Sequence, residues 1–486
     1  MRIATVRDLL GIISHLRFTG RGSVARRAIR GFSTDSRSLK KGEAFIALRG
    51  ENFDGHRFLD AVAARGASVA IVAAEWLESN GAITSPLPLV VVDDPLATYG
   101  EIATAHRAGF GYPVIAVAGS NGKTTTKELI AALLGTKYQV LKTEGNLNNL
   151  IGVPAMMLRM TKEQTAAVIE IGTNMPGEIE KLCAILRPTH GIITNIGREH
   201  LELLGSVEGV AREEGSLFEY LSASGGTAFV NLDDRHIAGM GRKLPKRVTY
   251  GARGEIAVRR GGLDRSGAPA IEIIDRRKEK HRSIAVQLRT PGSHTAVNAL
   301  AASAVAVALR VPLRDIKRTL ENFEPPVYGG GYARLATMSA ANGARVLNDT
   351  YNANPDSTLA ALATLAAMKP GRKGRRIVVL ADMRELGESS AEEHERIGLE
   401  IVRMGRKIDL ALFHGDEMLR AHRAIGTAGT GATASSFYEL KEDLAGALVA
   451  MVTPEDIVLV KGSRGMRMED VVRALTAADD HHDAGL

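Results

Sequence analysis

Residues 119–126, GSNGKTTT in one-letter code, combine two glycines, a lysine and three threonines at the spacing of a phosphate-binding loop. Glycines let backbone N–H groups crowd around phosphate oxygens, and the helix that such a loop opens adds its dipole. Lys123 is expected to reach the terminal phosphates of a nucleoside triphosphate, and the Thr124 hydroxyl to contact Mg²⁺. The residues expected to contact the nucleotide are Gly119, Ser120, Asn121, Gly122, Lys123, Thr124 and Thr125.

The general loop pattern has a glycine at position 117, where this chain has Val117, so the match is to a subtype. The alternative is a glycine-rich turn that binds nothing. The flanking sequence favours the functional interpretation. Residues 112–118 form an apolar run that is typical of a buried parallel strand, and residues 127–134 have the composition of a helix.

Further apolar runs at 167–171 and 191–195 predict parallel strands separated by helices, which is the pattern of a doubly wound α/β sheet. Ligands bind in such sheets at the carboxyl ends of the strands. His200 follows the second of these runs, so we expect it in the site. The alternative is a polar residue that is hydrogen-bonded there without taking part in the chemistry.

The length of 486 residues predicts about three domains, with ranges 1–108, 109–328 and 329–486. The first range contains short strand-like runs at 44–48, 69–73 and 89–92. A charged, strand-rich insertion is expected at about 245–290 in the second range. Residues 324–331 are rich in Pro and Gly and predict the linker to a second α/β domain.

Composition narrows the function classes. Aromatic residues make up 4% of the chain, which disfavours base stacking on single-stranded nucleic acid. The net charge of +7 comes from basic clusters in separate loops, so anionic small substrates explain it and no nucleic-acid partner is expected. A single cysteine, Cys183, excludes an intrachain disulfide and indicates a reducing compartment. Its apolar neighbours predict a buried helix thiol.

No run approaches the roughly 18 apolar residues of a membrane-spanning helix. The N-terminal residues lack the apolar core of a signal peptide. We therefore expect a soluble, cytoplasmic protein without a membrane span.

Six further motifs follow in sequence order. They are TEGNLNN at 143–149, EIG at 170–172 with PGEI at 176–179, NIGREH at 195–200, GSH at 292–294, DTYNANPDS at 349–357 and KGSR at 461–464. Together with the phosphate loop they closely resemble the Mur ligase family of ATP-dependent amide-forming enzymes. TDSR at 34–37 is similar to the uridine-nucleotide domain of that family, and the 349–357 motif with ADMRELG at 381–387 resembles its MurF type.

The resemblance covers essentially the whole chain. It implies an N-terminal α/β uridine-nucleotide domain, a central P-loop ATPase domain with a parallel sheet and a C-terminal Rossmann-like α/β domain. The implied activity is the ATP-dependent addition of D-alanyl-D-alanine to UDP-N-acetylmuramoyl-tripeptide through an acyl phosphate, in peptidoglycan precursor synthesis, and hence a role in cell shape and division. The implied cofactors are ATP and Mg²⁺, and a monomer is implied.

The same resemblance implies nucleotide contacts outside the loop. Asn298 and His294 are expected on the adenine side, although the family usually has Asn after that histidine, where this chain has Thr295. Arg334 resembles an arginine that reaches ATP from the third domain. The other residues expected to meet the nucleotide from that domain are Asp349, Tyr351, Asn352 and Asn354.

Metal and substrate contacts are implied in the same way. Thr124 and Glu170 would bind one Mg²⁺, because hard cations prefer oxygen ligands, and His200 would help to hold a second. For Glu170 the alternative is a carboxylate that caps a strand end. The implied substrate contacts are Thr34, Asp35, Ser36, Arg37, Asn146, Asn148, Asn149, Lys461 and Arg464. For residues 35–37 the alternative is an Asx turn with a surface arginine.

Residue 214 departs from the family pattern. The family has a lysine four residues before an aromatic residue on the helix after the histidine motif, and its carbamate holds the second Mg²⁺. Counting back from Phe218 gives Glu214. Glutamate supplies one negative charge without carbon dioxide, although it reaches about 3–4 Å less far. We expect Lys123, His200 and Glu214 to be catalytic, with Glu214 at the second Mg²⁺. The alternative for Glu214 is a solvated helix face.

Two other functions stay open. The residues at 214 and 295 favour a Mur-like ligase with a different acceptor or amine. The phosphate loop alone would also suit a P-loop NTPase that acts as a switch. Phosphate release with a panel of UDP-muramoyl peptides and amines separates the two ligases, and ATP turnover that needs no amine would indicate the switch.

Overall fold

The computed structural model describes residues 3–20, 22–50, 53–80, 85–277, 279–327, 330–428 and 433–477. The chain forms two compact units. The first comprises Met1–Ala116, Tyr138–Thr173 and Gly177–His190, and the second comprises Val117–Lys137, Asn174–Pro176 and Gly191–Leu486. The predicted domain break near 328 falls on residues 328–329, which lie outside the described residues, so the three domain ranges stay predictions.

The N-terminal part of the first unit is a five-stranded sheet in the order β1-β5-β4-β3-β2, parallel except for β1. Its strands are β1 (Arg17–Phe18), β2 (Phe32–Ser33), β3 (Ala44–Ile46), β4 (Val69–Ala73) and β5 (Leu89–Val92). Its helices are α1 (Val6–Leu10), α2 (Leu59–Ala64), α3 (Ala74–Asn80) and α4 (Pro95–Arg107). The three predicted strands are confirmed. Strands β4 and β5 are continuous apolar runs because both of their faces are buried.

Strand β6 (Val114–Ala118) begins in the first unit and ends in the second, where helix α5 (Lys123–Leu134) follows it. Back in the first unit, β7 (Val140–Lys142) and β8 (Ala166–Glu170) pair in parallel. Helices α6 (Gly152–Met157) and α7 (Glu178–Leu186) pack against each other and against α4. Strand β9 (His190–Ile193) then leads into the second unit. Strands β6, β8 and β9 lie at or directly beside the predicted apolar runs, whereas no run in the sequence predicts β7.

The next part of the second unit contains strands β10 (Thr227–Asn231), β11 (Arg247–Tyr250), β12 (Ile256–Leu263), β13 (Pro269–Asp275) and β14 (Arg282–Gln287). Its helices are α8 (Leu201–Leu204), α9 (Val207–Ser224), α10 (Arg235–Gly241), α11 (Ser293–Ala308) and α12 (Leu313–Asn322). The pairs β10–β11 and β11–β12 are parallel, although the sequence predicts no strand direction for this region. The insertion continues as the antiparallel pairs β12–β13 and β13–β14. Short connections such as theirs are typical of antiparallel neighbours.

The C-terminal part is a six-stranded sheet in the order β15-β16-β20-β17-β18-β19, parallel except for β15. Its strands are β15 (Ala336–Ser339), β16 (Arg345–Asp349), β17 (Arg376–Ala381), β18 (Leu410–His414), β19 (Ala434–Tyr438) and β20 (Ile457–Lys461). Its helices are α13 (Pro355–Ala367), α14 (Ser390–Met404), α15 (Met418–Thr427), α16 (Lys441–Met451) and α17 (Glu469–Thr476). The motifs at 349–357, 381–387 and 461–464 begin where β16, β17 and β20 end, so all three lie at one edge of this sheet.

Cys183 is buried in α7, as its apolar neighbours predict. The strongly apolar helix α11 has 16 residues. Among the residues that the structure describes, no helix is long and apolar enough to cross a membrane.

Candidate active site

The loop at 119–122 connects β6 to α5 in the predicted strand–turn–helix arrangement. Gly119 and Gly122 have φ angles of 111° and 77°, which favour glycine. A Cβ atom at Gly119 would lie 2.4 Å from Oγ1 of Thr194, and one at Gly122 would lie 2.7 Å from Oδ1 of Asn298. Gly122 is also the N-cap of α5 and leaves the start of the helix without a side-chain cap. The loop therefore presents backbone N–H groups at a helix N-terminus, where anions bind.

Lys123 is held beside an acidic residue. Its Nζ atom lies 3.1 Å from Oε2 of Glu199, and the two side chains are 12% and 7% exposed. The same Nζ donates to the backbone oxygen of Ser120 at 3.4 Å. Lys123 thus stays at the loop, with its charge compensated by Glu199.

Glu214 lies on α9 and is fully buried, so the alternative of a solvated helix face is wrong. Its Oε2 accepts a hydrogen bond of 2.8 Å from the backbone N–H of Gly119, the first residue of the phosphate loop. Its Oε1 is buried without a hydrogen-bond partner. Burial raises the pKa of Glu214 to about 8, and repulsion by Glu199 acts in the same direction, whereas attraction by Lys123 opposes the shift. The shorter glutamate side chain therefore reaches the loop.

His200 is the N-cap of the short helix α8 and has a left-handed backbone conformation, with φ of 49°. Its Nδ1 lies 2.8 Å from Oε2 of Glu385, and its Nε2 lies 3.9 Å from Oε2 of Glu199. The hydrogen bond with His200 lowers the pKa of Glu385, against the opposing effect of burial. His200 therefore lies between two carboxylates, one of which pairs with Lys123.

Thr124 and Arg334 line one small pocket. Thr124 is buried at the start of α5, and its Oγ1 has no hydrogen-bond partner. The guanidinium of Arg334 lies over the ring of Tyr351, 4.0 Å from its centroid. The lining residues of the pocket are Thr124, Thr125, Glu128, Phe323, Pro325, Pro326 and Arg334. The structure thus brings the predicted Arg334 to the first turn of the phosphate-loop helix.

Asn298 lies on α11 next to the phosphate loop, as the contact with Gly122 shows. His294 is one turn earlier, and burial lowers its pKa. Thr295 uses its hydroxyl to donate to the backbone oxygens of Gly292 and Thr290 at 2.6 and 3.2 Å. Position 295 therefore stabilises the start of α11, and Asn298 is the member of this group that faces the loop.

Asn354 connects the C-terminal part of the unit to the phosphate loop. Its Nδ2 donates to Oδ1 of Asn121 at 2.9 Å, while its Oδ1 caps α13 through the N–H of Ser357. Two residues further on, Asp356 accepts from the backbone N–H of Arg198 at 2.8 Å and pairs with its guanidinium. Arg198 also donates to Oε1 of Glu393 at 2.9 Å. The 349–357 motif therefore meets both the phosphate loop and the histidine motif.

Lys461 and Arg464 are predicted to bind substrate. In the structure both form ion pairs with residues of the C-terminal part of the chain. The Nζ of Lys461 lies 2.7 Å from Oδ2 of Asp349 and donates to the backbone oxygen of Asn352 at 2.9 Å, with a side chain that is 2% exposed. Arg464 pairs with Glu469 at 2.8 Å and stacks over Tyr332. In this arrangement Lys461 holds the 349–352 segment, and its role with substrate stays a prediction.

The predicted uridine-nucleotide residues lie in the first unit. The Arg37 guanidinium pairs with both oxygens of Asp35 at 3.0 Å, and its backbone N–H donates to Oδ1 of Asp35 at 2.9 Å. This hydrogen bond to Arg37 lowers the pKa of Asp35. The geometry is that of an Asx turn with an exposed arginine, flanked by Thr34 and Ser36. Binding of a uridine nucleotide here stays a prediction.

Glu170 lies at the end of β8 in the first unit and is 1% exposed. Its Oε1 accepts a hydrogen bond of 3.0 Å from Asn148, and its Oε2 is buried without a hydrogen-bond partner. Asn149 caps the start of α6 by accepting from the N–H groups of Ile151 and Gly152, and Asn146 is exposed. Asn148 is therefore a hydrogen-bond partner of Glu170. Asn149 instead stabilises the backbone at the start of α6.

The residues present fit Mg²⁺ that is bound largely through a nucleotide. The described residues contain no group of three or more His, Cys, Asp or Glu that could hold a metal ion on its own. Mg²⁺ typically keeps several waters and is bound by one or two carboxylates together with phosphate oxygens. In the second unit, buried oxygens without hydrogen-bond partners could serve as ligand atoms of that kind, namely Thr124 Oγ1, Glu199 Oε1 and Glu214 Oε1.

The chain is similar to known proteins along most of its length. Residues 28–107 match the catalytic domain of the Mur ligase family, residues 117–306 the Mur ligase middle domain, and residues 333–464 the Mur ligase glutamate ligase domain. A UDP-N-acetylmuramoyl-tripeptide–D-alanyl-D-alanine ligase of Escherichia coli K12 is 34% identical over 450 residues, which cover 91% of this chain and 93% of the relative. The chain belongs to the Mur ligase family.

Other ligases of the family are similar to this chain in sequence and in structure. The ligase of that name from Bacillus subtilis is 32% identical, over 92% of this chain and 93% of its own length. A crystal structure of MurF from Acinetobacter baumannii superposes with a TM-score of 0.80 at 31% identity, over 92% of this chain and 94% of that one. A Thermotoga maritima MurF in complex with ADP gives 0.78 at 26% identity, over 94% and 98%. The α/β fold with Mur ligase N-terminal, middle and C-terminal domains is thus confirmed.

The structure adds residues that the sequence did not single out for this Mur ligase. Glu199 contacts Lys123, Glu385 contacts His200, and Arg198 contacts Asp356 and Glu393. Glu199 and Arg198 lie inside NIGREH, and Glu385 lies inside ADMRELG. Glu199 could have been predicted from the sequence, because it is a charged residue directly before the predicted metal-binding His200. The pairing with Glu385 spans 185 positions in the chain and has no local signal.

Proposed function

We propose that this protein joins D-alanyl-D-alanine to UDP-N-acetylmuramoyl-tripeptide in an ATP-dependent reaction that yields ADP and phosphate. The observation that carries the proposal is the match over more than nine-tenths of the chain to ligases of that name, in all three domains. The phosphate loop with Lys123 supplies the nucleotide site that such a reaction needs. The product would serve peptidoglycan precursor synthesis in the cytoplasm, and through it cell shape and division.

The first step activates the carboxylate of the tripeptide. A carboxylate oxygen forms a bond to the γ-phosphorus of ATP, the bond to the bridging oxygen breaks, and ADP leaves. Lys123 and the N–H groups at the start of α5 would hold the phosphates and stabilise the charge that develops on them. Because Lys123 pairs with Glu199, it must exchange that partner for phosphate when ATP binds.

Magnesium ions would neutralise phosphate charge in this site. We propose that His200 and Glu214 hold one of them, and the unpartnered Oε1 of Glu214 next to the phosphate loop supports that assignment. Thr124 and Glu170 as ligands of another Mg²⁺ stay a prediction, because the two residues belong to different units. The unpartnered oxygen on each of them is the property that such a ligand requires.

The second step forms the amide. The amine nitrogen of D-alanyl-D-alanine attacks the acyl carbon, the bond to the phosphate oxygen breaks, and a proton leaves the nitrogen. An acyl phosphate must be protected from water during this step. Asn354 and Asp356, which contact Asn121 and Arg198, place the C-terminal domain against the phosphate loop and would provide that protection.

The test is phosphate release by the purified protein with a panel of UDP-muramoyl peptides and amines. We expect release to require both the UDP-N-acetylmuramoyl-tripeptide and D-alanyl-D-alanine. Equal release with another amine would indicate a Mur-like ligase of different specificity. Release that needs no amine would indicate the NTPase switch and contradict the proposal.

A further inference from the structure

The ADMRELG run at 381–387 has no part in the reaction as described so far. It follows β17 and places Glu385 beside the histidine motif, with Oε2 at 2.8 Å from Nδ1 of His200. Gly387 of the same run packs against α8, the helix that follows the histidine motif. A Cβ atom at Gly387 would lie 3.2 Å from the backbone of Glu202 on that helix. The run therefore docks the C-terminal domain onto the histidine motif.

Both partners of this contact have a left-handed backbone. The φ angle is 66° at Glu385 and 49° at His200, and neither residue is glycine. Such conformations are unfavourable for residues other than glycine and persist where the surrounding structure holds them, often at functional sites. Here each left-handed residue directs its side chain towards the other.

The ring of His200 is oriented by this contact. While Nδ1 faces Glu385, Nε2 faces the side of Glu199, at 3.9 Å, and Glu199 in turn contacts Lys123. A hydrogen bond from Nδ1–H to the carboxylate leaves a lone pair on Nε2. Histidines that bind metals usually donate their other ring N–H to a carboxylate, which fixes the tautomer and the ring orientation.

We propose that Glu385 is a positioning residue that fixes His200 with its proton on Nδ1 and so prepares Nε2 to bind Mg²⁺ on the phosphate-loop side. The inference rests on the proposed function, which makes His200 a metal ligand. Because Glu385 comes from the C-terminal domain, this metal site is complete only when that domain is docked. Docking and metal binding are then linked through one hydrogen bond.

The first experiment observes the imidazole itself. The full-length protein is labelled with ¹⁵N in its histidine rings, and the His200 signals are assigned by their loss in His200→Gln. At pH 8.5 we expect the Nδ1–H tautomer in the parent protein. Glu385→Ala should shift His200 towards the Nε2–H tautomer, and Glu385→Gln, whose amide oxygen can still accept, should restore much of the parent spectrum. Glu388→Ala, an exposed carboxylate of the same loop, is the control and should leave the spectrum unchanged.

The second experiment measures Mn²⁺ binding by electron paramagnetic resonance in the presence of a non-hydrolysable ATP analogue. We expect Glu385→Ala to weaken the Mn²⁺ affinity of the His200 site about tenfold, as loss of such a partner typically does. In a His200→Ala background the same substitution should have no further effect.

An unchanged His200 tautomer in Glu385→Ala, or an equal loss of Mn²⁺ affinity with and without His200, would overturn the positioning role. Neither readout depends on turnover. A parent protein that forms no amide would instead contradict the proposed function, whatever the tautomer of His200.

Discussion

The Nζ atom of Lys123 lies 3.1 Å from Oε2 of Glu199, and both side chains are nearly buried. The lysine that would bind phosphate therefore already has a carboxylate as its partner. ATP must displace that carboxylate and also overcome its negative charge. Glu199 thus opposes nucleotide binding through its charge.

Glu199→Gln should bind ADP more tightly in the absence of Mg²⁺. Removal of a competing, partly buried charge is expected to lower the dissociation constant about fivefold, equivalent to about 1 kcal/mol. Isothermal titration calorimetry measures it, with the exposed Glu202→Gln as the matched control. Lys123→Ala should instead weaken binding and abolish ligation. An unchanged or larger dissociation constant in Glu199→Gln would show that the ion pair does not compete with the nucleotide.

Glu214→Gln should slow ligation strongly and raise the Mg²⁺ concentration for half-maximal activity by about 10- to 100-fold. The variant keeps the shape of the side chain but cannot release a proton and carry a negative charge when Mg²⁺ binds beside the phosphate loop. The control is Glu219→Gln, which is exposed on the same helix. The neighbouring Glu213 is buried. A substitution there could disturb packing, so Glu213→Gln is not a suitable control.

The parent activity should also be insensitive to removal of bicarbonate, because a glutamate needs no carbon dioxide to carry its charge. Equal, mild effects of Glu214→Gln and Glu219→Gln would contradict the metal-binding role of Glu214. Activity that falls when bicarbonate is depleted would indicate a carbamate elsewhere in the site.

The buried carboxyl of Glu214 should make stability depend on pH in the metal-free protein. Its pKa is raised to about 8 in the folded state, while it is near 4.5 in the unfolded chain. Between these values the unfolded chain releases a proton that the folded protein keeps, so stability falls as pH rises from about 4.5 to 8. Below pH 4.5 this carboxyl is protonated in both states and has no effect.

Thermal unfolding with EDTA checks this dependence. The midpoint of Glu214→Gln should exceed that of the parent by a margin that grows from pH 5 to pH 8.5, since the glutamine has no proton to lose. A margin that stays constant or shrinks over this range would mean that Glu214 is ionised in the folded protein.

Arg198 should control how the C-terminal domain docks. Arg198→Met removes the ion pairs with Asp356 and Glu393 but keeps much of the side-chain volume. We expect about tenfold lower kcat/KM for ATP, because the acyl phosphate site is less well assembled, and a larger radius of gyration by X-ray scattering with an ATP analogue and both substrates bound. Arg212→Met, exposed on α9, is the control. Identical scattering of the two variants would contradict the role of Arg198.

The sequence predicted the elements well where one local signal dominates. Strands β4, β5 and β17 are apolar runs buried on both faces, and such runs form central parallel strands in any α/β sheet. The loop before α5 is specified by its glycines. The antiparallel pairing of β12, β13 and β14 could not be predicted, because a strand-rich composition does not determine the direction in which strands pair.

The candidate site could be predicted only in part. Asn298 and Asn354 lie beside Lys123 at the phosphate loop, and their predicted contacts with the nucleotide stay predictions. The burial of Glu214 depends on which face of α9 packs inward, and its neighbours in sequence left that open. The partners of His200 and Lys461, Glu385 and Asp349, are distant in the chain and become neighbours only through the sheet topology.

The most direct test of the central claim follows one oxygen atom. UDP-N-acetylmuramoyl-tripeptide labelled with ¹⁸O in the carboxylate that reacts is incubated with ATP, D-alanyl-D-alanine and the protein, and the released phosphate is analysed by mass spectrometry. If the carboxylate is activated as an acyl phosphate and then joined to the amine, each phosphate carries one ¹⁸O atom and equals the new amide in amount. Unlabelled phosphate, or phosphate without amide, would contradict the ligase mechanism.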